Sequence, residues 1–165
     1  MRIKPCVTLA LGSSLGNKTE ILTKSKHFLA GLSSDGIVHS SIWETEPVGI
    51  ASKPFYNSVV QIYYEGTAES LFKLIKSFES DSGRDLQAPR WSDRLIDIDI
   101  IDYYGKMIVT PDLEIPHPRY THRLFVLHPL QEIDREWTDP LSGDHISDLI
   151  KKATPIQLSK KSVKW

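Results

Sequence analysis

Leu95-Ile96-Asp97-Ile98-Asp99-Ile100-Ile101 is the stretch on which the reading of this chain turns. Its alternation suits a β-strand, where side chains two apart share a face and successive residues take opposite faces. Asp97 and Asp99 therefore point the same way. Their α-carbons would lie roughly 6 to 7 Å apart, close enough for both carboxylates to converge on one or two hard cations. Just upstream, Arg84, Arg90, Trp91 and Arg94 bring three arginines and a tryptophan within the sixteen residues Arg84 to Asp99. That combination suits the handling of a polyphosphate.

Working outward, Cys6 to Leu11 reads as a buried strand closed by the turn Gly12-Ser13-Ser14-Leu15-Gly16-Asn17. A helix follows, capped by Asn17 or Thr19, with Ile21, Leu22, Phe28, Leu29 and Leu32 on its apolar face. Ile37 to Thr45 and Phe55 to Tyr64 read as antiparallel strands. Ala68 to Ser80 reads as an amphipathic helix with Leu71, Phe72, Leu74, Ile75 and Phe78 on one side and Lys73, Lys76 and Glu79 elsewhere. The aspartate strand comes next. The order is that of an α+β, ferredoxin-like βαββαβ antiparallel sheet with helices on one face, followed by a C-terminal helical extension. In that extension Lys106 to Val109 predicts a small strand, Pro111 to Arg119 a loop, Arg119 to Ile133 a helix and Ile146 to Lys151 a last short one. The tail Ser159 to Trp165 reads as frayed or weakly docked.

The 165 residues predict a single domain, 1–165, large enough to bury a core without staples. A net charge of −1 gives no general attraction to nucleic acid or anionic membrane, so charge-driven binding must be local. One cysteine, Cys6, excludes an internal disulfide and fits a reducing compartment. No apolar run of membrane length or leader-type segment is visible, and the expected location is the cytoplasm. A monomer is expected.

Five of the seven arginines, Arg84, Arg90, Arg94, Arg119 and Arg123, bracket the aspartate strand. Singly, each reads as readily as a solvated surface charge or a structural partner for Asp85, Asp93 or Asp102 as it does as a phosphate contact. Together, around two carboxylates able to hold Mg2+, they form the arrangement that phosphoryl transfer requires, where catalysis is mainly positioning and charge neutralisation. There is no P-loop and no kinase glycine loop. The turn at Gly12 to Asn17 matches no phosphate fingerprint and reads as a plain strand-to-helix turn. His117, between Pro116 and Pro118, is held extended, while His117, His122 and His128 lack the spacing of a helical zinc pair. Trp91, Phe55, Phe125 and Asn57 are candidates for gripping a flat heterocycle, although each aromatic also reads as core packing. Trp91 departs most from a core role, because it lies in a polar loop between arginines. Loops Val48 to Lys53 and Asp85 to Asp93 are candidate lids. Competing readings are an RNA-binding module of the same element order, a metal-dependent phosphohydrolase using Asp97, Asp99, His117 and His122, and a silent scaffold.

The ordered set Arg84, Arg90-Trp91, Arg94, Asp97-Ile98-Asp99, Pro116-His117-Pro118-Arg119 and Arg123-Leu124-Phe125 resembles the 6-hydroxymethyl-7,8-dihydropterin pyrophosphokinases of folate biosynthesis. Leu11 to Asn17, Glu44-Thr45-Glu46-Pro47-Val48-Gly49 and Phe55-Tyr56-Asn57 extend the resemblance from about Cys6 to Ile150. It implies transfer of pyrophosphate from ATP to the pterin's hydroxymethyl oxygen, with two Mg2+ ions on Asp97 and Asp99. Arg84 and Arg94 would steady the transferring group. Lys76, Arg90, His117, Arg119, Arg123 and the backbone at Ile98 would meet ATP. Thr45, Glu46, Val48, Phe55, Tyr56, Asn57, Trp91 and Phe125 would meet the pterin. Such a chain would bind small molecules, with no nucleic acid and no membrane. Three positions depart from the family's common pattern: Ser92-Asp93 in place of Gly-Pro, Leu86 in place of an arginine, and Lys76 in place of a glutamine.

Overall fold

The computed structural model describes residues 6–83, 85 and 87–165. Its centre is β1 (Val7–Ser13), a largely buried strand flanked antiparallel by β4 (Phe55–Ile62) and β5 (Asp97–Tyr103). The sheet continues past β4 to β3 (Trp43–Thr45) and β8 (Leu158–Lys160), while β2 (Ile37–His39) also pairs with β4. The strand order is thus β5-β1-β4-β3-β8, antiparallel throughout.

Local chemistry starts the helices where the residue types demand. Asn17 caps α1 (Lys18–Leu32) by accepting from Glu20 N at 3.2 Å. Thr67 and Ser70 form a reciprocal capping box at the start of α2 (Ala68–Asp81); each such cap is worth about 1 kcal/mol. Leu22 and Leu29 of α1 and Leu71 and Ile75 of α2 pack on Val7, Leu9, Leu11, Val60, Ile62, Ile98 and Ile100. Helices α1 and α2 therefore share one face of the sheet.

The C-terminal helices are not an appendage. After β6 (Ile108–Val109) and β7 (Glu114–Ile115), which form a separate two-stranded ribbon, α3 (Leu124–Ile133) and α4 (Ile146–Lys152) lie on the other face of the sheet. Their Val126, Leu127, Leu130, Ile146 and Leu149 form a second core with Val59 and Ile101. Helices accordingly cover both faces, a correction to the one-sided arrangement the sequence suggests.

Three further boundaries differ. Ile37 to Thr45 is two strands, because His39 pairs with Val60 but Trp43 pairs with Asn57, leaving one extra residue on this side of the ladder. Such a bulge bends the strand, and here Ser40 N and Oγ hold it to Val59 O and Ser58 Oγ. The expected helix Arg119 to Ile133 is interrupted at Arg123, which is extended between a 3-10 turn at Tyr120–His122 and α3. Finally, the tail is docked: β8 pairs with β3, and Trp165 Nε1 donates to Ser40 O at 3.0 Å. Among the described residues no helix is long and apolar enough to cross a membrane.

Candidate active site

The register of three strands makes the floor of the site. Gly12 of β1 lies between Asp97 of β5 and Asn57 of β4, and the next row on the same face is Asp99, Ala10 and Val59. Residues in a row share a face, and the small Gly12 and Ala10 leave room between the two flanking strands. The result is a cavity of about 510 Å³. Its walls include Thr45, Val48, Phe55, Asn57, Lys76, Arg90, Trp91, Arg94, Asp97, Asp99, His117, Arg119, Arg123 and Phe125. Fourteen residues singled out in the sequence thus converge on one space, from both sides of the sheet's centre.

At the carboxylate end, Arg94 donates to Asp97 Oδ2 at 2.9 Å. Asp99 lies 3.7 Å from His117 Nε2 and 3.9 Å from Arg123 NH1. Burial and the neighbouring Asp97 push the Asp99 carboxyl up to about 7, partly offset by Arg123 and Lys76. His117 goes the other way: burial, with Arg123 and Arg119 beside it, lowers it to about 4, so it is neutral at pH 7. Its Nδ1 accepts from Arg119 N at 3.2 Å, which leaves the ring proton on Nε2, facing Asp99. Two carboxylates that resist ionising together, in no cluster of three or more metal-binding side chains among the described residues, suit hard cations whose other ligands come from phosphate oxygens and water.

At the other end, Asn57 Nδ2 donates to Trp43 O at 3.1 Å and to Thr45 Oγ1 at 3.0 Å. Its amide nitrogen is thereby fixed, and its Oδ1 faces the bare Gly12. Trp91 has a left-handed backbone, φ 67°. Its ring lies under the guanidinium groups of Arg119 and Arg123, at 5.4 and 5.3 Å, and its Cβ packs on Gly49. The two expected lids therefore meet at this ring.

Some expected residues stand elsewhere. Tyr56 takes the opposite face of β4 from Phe55 and Asn57, where it packs on the first core with Lys18 over its ring. The side chain of Glu46 accepts from Gln157 N. Ile98 is buried in the core, beside a smaller cleft of about 150 Å³ shared with Lys76, Asp99 and His117. His122 is exposed on the 3-10 turn and does not line the cavity. Arg84 lies outside the described residues.

Two residues gain importance that the sequence reading gave them no part in. Glu79, assigned above to the polar side of its helix, is 0% exposed; it accepts from Ile98 N at 2.7 Å and pairs with Lys76 Nζ at 3.1 Å. Its signal was present, since Glu79 follows Leu71 and Ile75 at intervals of four, a carboxylate on an apolar stripe. Ser14 accepts from Arg94 N through its Oγ and donates from its own N to Arg94 O, so the turn at Gly12 to Asn17 supports the site after all.

Comparison with known proteins agrees with this geometry. Residues 8–135 match the family of 7,8-dihydro-6-hydroxymethylpterin-pyrophosphokinases. The chain is 36% identical over 127 residues to the 2-amino-4-hydroxy-6-hydroxymethyldihydropteridine pyrophosphokinase of Bacillus subtilis, covering 76% of this chain and 75% of that one. Its counterpart in Methylorubrum extorquens is 32% identical, with 89% and 92% covered. A folate synthesis bifunctional protein of Arabidopsis thaliana is 31% identical over 85% of this chain, which spans only 29% of that longer protein. Among solved structures, Plasmodium falciparum HPPK-DHPS with SDX-DHP shares the fold at a TM-score of 0.68 and 15% identity, over 90% of this chain and 44% of that one. The matched segment and the two relatives more than 30% identical place the chain, with its converging carboxylates and arginines, in the 7,8-dihydro-6-hydroxymethylpterin-pyrophosphokinase family, ATP-dependent diphosphotransferases of folate biosynthesis.

Proposed function

We propose that this chain, as a single-domain monomer with a ferredoxin-like core, transfers pyrophosphate from ATP to the hydroxymethyl oxygen of 6-hydroxymethyl-7,8-dihydropterin. The strand order β5-β1-β4 with β2 and β3 beyond it supports that core. In the reaction the hydroxymethyl oxygen bonds to the β-phosphorus, the bond from that phosphorus to the α-phosphate's bridging oxygen breaks, the hydroxyl proton is released, and AMP departs. The observation that carries the reading is the division of one cavity into a carboxylate end and an amide-and-aromatic end.

Asp97 and Asp99 would hold two Mg2+ ions, a reading supported by their place two residues apart on one face of β5, both lining the cavity. Bound there, Mg2+ would supply charge neutralisation and Lewis-acid polarisation to the triphosphate. Arg94, held by Asp97, presents its guanidinium where charge develops on the transferring group. Arg84 shares that role in our reading. Lys76, Arg90, Arg119 and Arg123 supply further positive charge to the phosphates, and the neutral His117 offers an Nε2 proton to an oxygen. The cleft at Ile98, Lys76 and His117 is of a size for the base of the nucleotide. Asn57 Oδ1 accepts from the pterin's polar edge while Phe55, Phe125 and Trp91 bound its faces. The exposed position of His122 weighs against a hydrolase built on it.

The test is a coupled assay for AMP from ATP, Mg2+ and the pterin, with pterin-free and EDTA controls. AMP formed only with both pterin and metal is expected. ADP or free phosphate without pterin would overturn the reading in favour of a hydrolase.

A further inference from the structure

Asp93 is the residue through which three separate segments meet. Its Oδ2 accepts from Ser52 N at 3.1 Å and Ser52 Oγ at 2.8 Å, and its Oδ1 accepts from Lys53 N at 3.2 Å and Ser14 Oγ at 3.2 Å. Ser14 is itself buried and tied to the backbone of Arg94 on both sides, through its Oγ and its N. One carboxylate thus links the turn after β1, the loop 48–53 and the end of the arginine loop. The consecutive amides of Ser52 and Lys53 converge on it as a small anion-binding concavity. Hydrogen bonds to an ionised acceptor are roughly twice as strong as neutral ones. The Ser52 bonds hold the Asp93 carboxyl below the usual range, so the acceptor stays charged at neutral pH.

We propose that Asp93 is a positioning residue for the heterocycle end of the cavity, clasping the loop that carries Val48 to the loop that carries Trp91 so that the two act as one wall. The tie has a second point of contact, the packing of Trp91 on Gly49, three residues before Ser52. Two loops joined at both points lose the independent motion that either would have alone. The clasp does not touch Lys76 or His117, which stand on α2 and on the loop after β7 at the far end of the cavity. Its functional consequence, though not its structural one, rests on the pyrophosphokinase reading. Loosening it should weaken the pterin more than ATP, because Arg119 and Arg123 lie over the Trp91 ring while Lys76 and His117 stand apart from it.

The experiment uses the full chain with Asp93→Asn, Ser52→Ala and both together. Hydrogen exchange is followed at the Ser52 and Lys53 amides, alongside KM for each substrate. Asp93→Asn should speed exchange at those two amides and raise KM for the pterin by about tenfold, a loss near 1.4 kcal/mol, with a smaller rise of about threefold or less in KM for ATP. Ser52→Ala, at an exposed serine, should do the same more weakly, and the double variant should be no worse than Asp93→Asn, since both remove one clasp. Unchanged exchange at Ser52 and Lys53 would overturn the clasp. Equal rises in both KM values, or additive effects in the double variant, would overturn the positioning role. If the wild-type chain formed no AMP, the functional reading would fall, and exchange alone would decide the clasp.

Discussion

The two ends of the cavity are held in unlike ways. Asp97 and Asp99 stand on β5, paired residue by residue with β1, and the outward edge of that strand is closed by Glu79 on Ile98 N and by His117 N on Ile101 O. Val48 and Trp91 stand on loops joined by one carboxylate and one glycine contact, with the guanidinium groups of Arg119 and Arg123 over the Trp91 ring. The carboxylates are placed by a ladder whose hydrogen bonds extend into the core, so their geometry cannot change without disturbing the sheet. The lid end can rearrange while the sheet stays intact. A reaction that depends on positioning charge belongs on the first kind of support, and entry of a substrate belongs on the second.

The sharpest way to break this comparison is to remove a function from the ladder without harming the ladder. Asp97→Ala should lower turnover by about 10³-fold or more, because it removes one of two anchors for the cations and the partner of Arg94. The Asp97 side chain is partly exposed to the cavity rather than packed in the core, so thermal melting should shift little. Steady-state turnover and a melting curve on one preparation decide it; unchanged turnover would sink the proposed role.

The lid end should show the reverse sensitivity, to a methyl group placed where no chemistry occurs. A Cβ on Gly49 would stand 2.5 Å from Trp91 Cβ, at a backbone φ of +67° that side chains rarely adopt. Gly49→Ala should cost about 1–2 kcal/mol of local strain and part the two loops, with kcat/KM for the pterin falling about 10- to 100-fold. Melting should fall by only a few degrees, about 2–4 °C for each kcal/mol of that strain, because the loop is exposed and lies outside the core. A large fall in melting temperature instead would mean that the loop supports the core.

What was legible in the sequence follows the same division. Leu95 to Ile101 and Phe55 to Tyr64 could be read because a strand writes its two faces as alternation, and the pairing of Asp97 with Asp99 follows from that alone. The same rule separates Tyr56 from Phe55 and Asn57, and naming all three as pterin contacts set a motif above its period. The tail escaped because β8 lies at the sheet's edge, where lysines such as Lys160 are tolerated and backbone pairing supplies the contact. The split of Ile37 to Thr45 escaped because a bulge depends on the partner's register, not on either strand's residues. Asp93 was read as a partner for arginine; its acceptance from Ser52, 41 residues away, is a tertiary fact that no local pattern encodes.

A smaller effect sharpens the account of the ladder's edge. Glu79→Ala removes the acceptor of a buried amide on β5 and the partner of Lys76. A buried donor left unsatisfied costs about 1–3 kcal/mol, and each kcal/mol lowers the melting temperature of a domain this size by about 2–4 °C. Glu79→Gln keeps an acceptor for Ile98 N and should recover most of that loss. Equal melting of the two variants would show that the charge, not the hydrogen bond, is what β5 needs.

The smallest effect has two opposite parts. Asp99, raised to about 7 in the folded metal-free protein, keeps a proton there that the unfolded chain releases near 3.8, so its contribution to stability is full below about 4 and is lost as pH rises through 7. His117, lowered to about 4, is neutral when folded but takes a proton in the unfolded chain below 6.5, so its contribution is full above 6.5 and is lost as pH falls toward 4. Between pH 4 and 6.5 the two slopes oppose each other, and metal-free wild type should melt at a nearly constant temperature with respect to these groups. In EDTA, Asp99→Asn should melt higher as pH rises across that window, because only the His117 slope remains. His117→Asn should melt lower as pH rises, because only the Asp99 slope remains. Shifts of about 2–4 °C, near 1 kcal/mol, are enough to resolve the signs. Slopes of the same sign in the two variants would mean that burial does not move Asp99 and His117 in opposite directions as the structure has them.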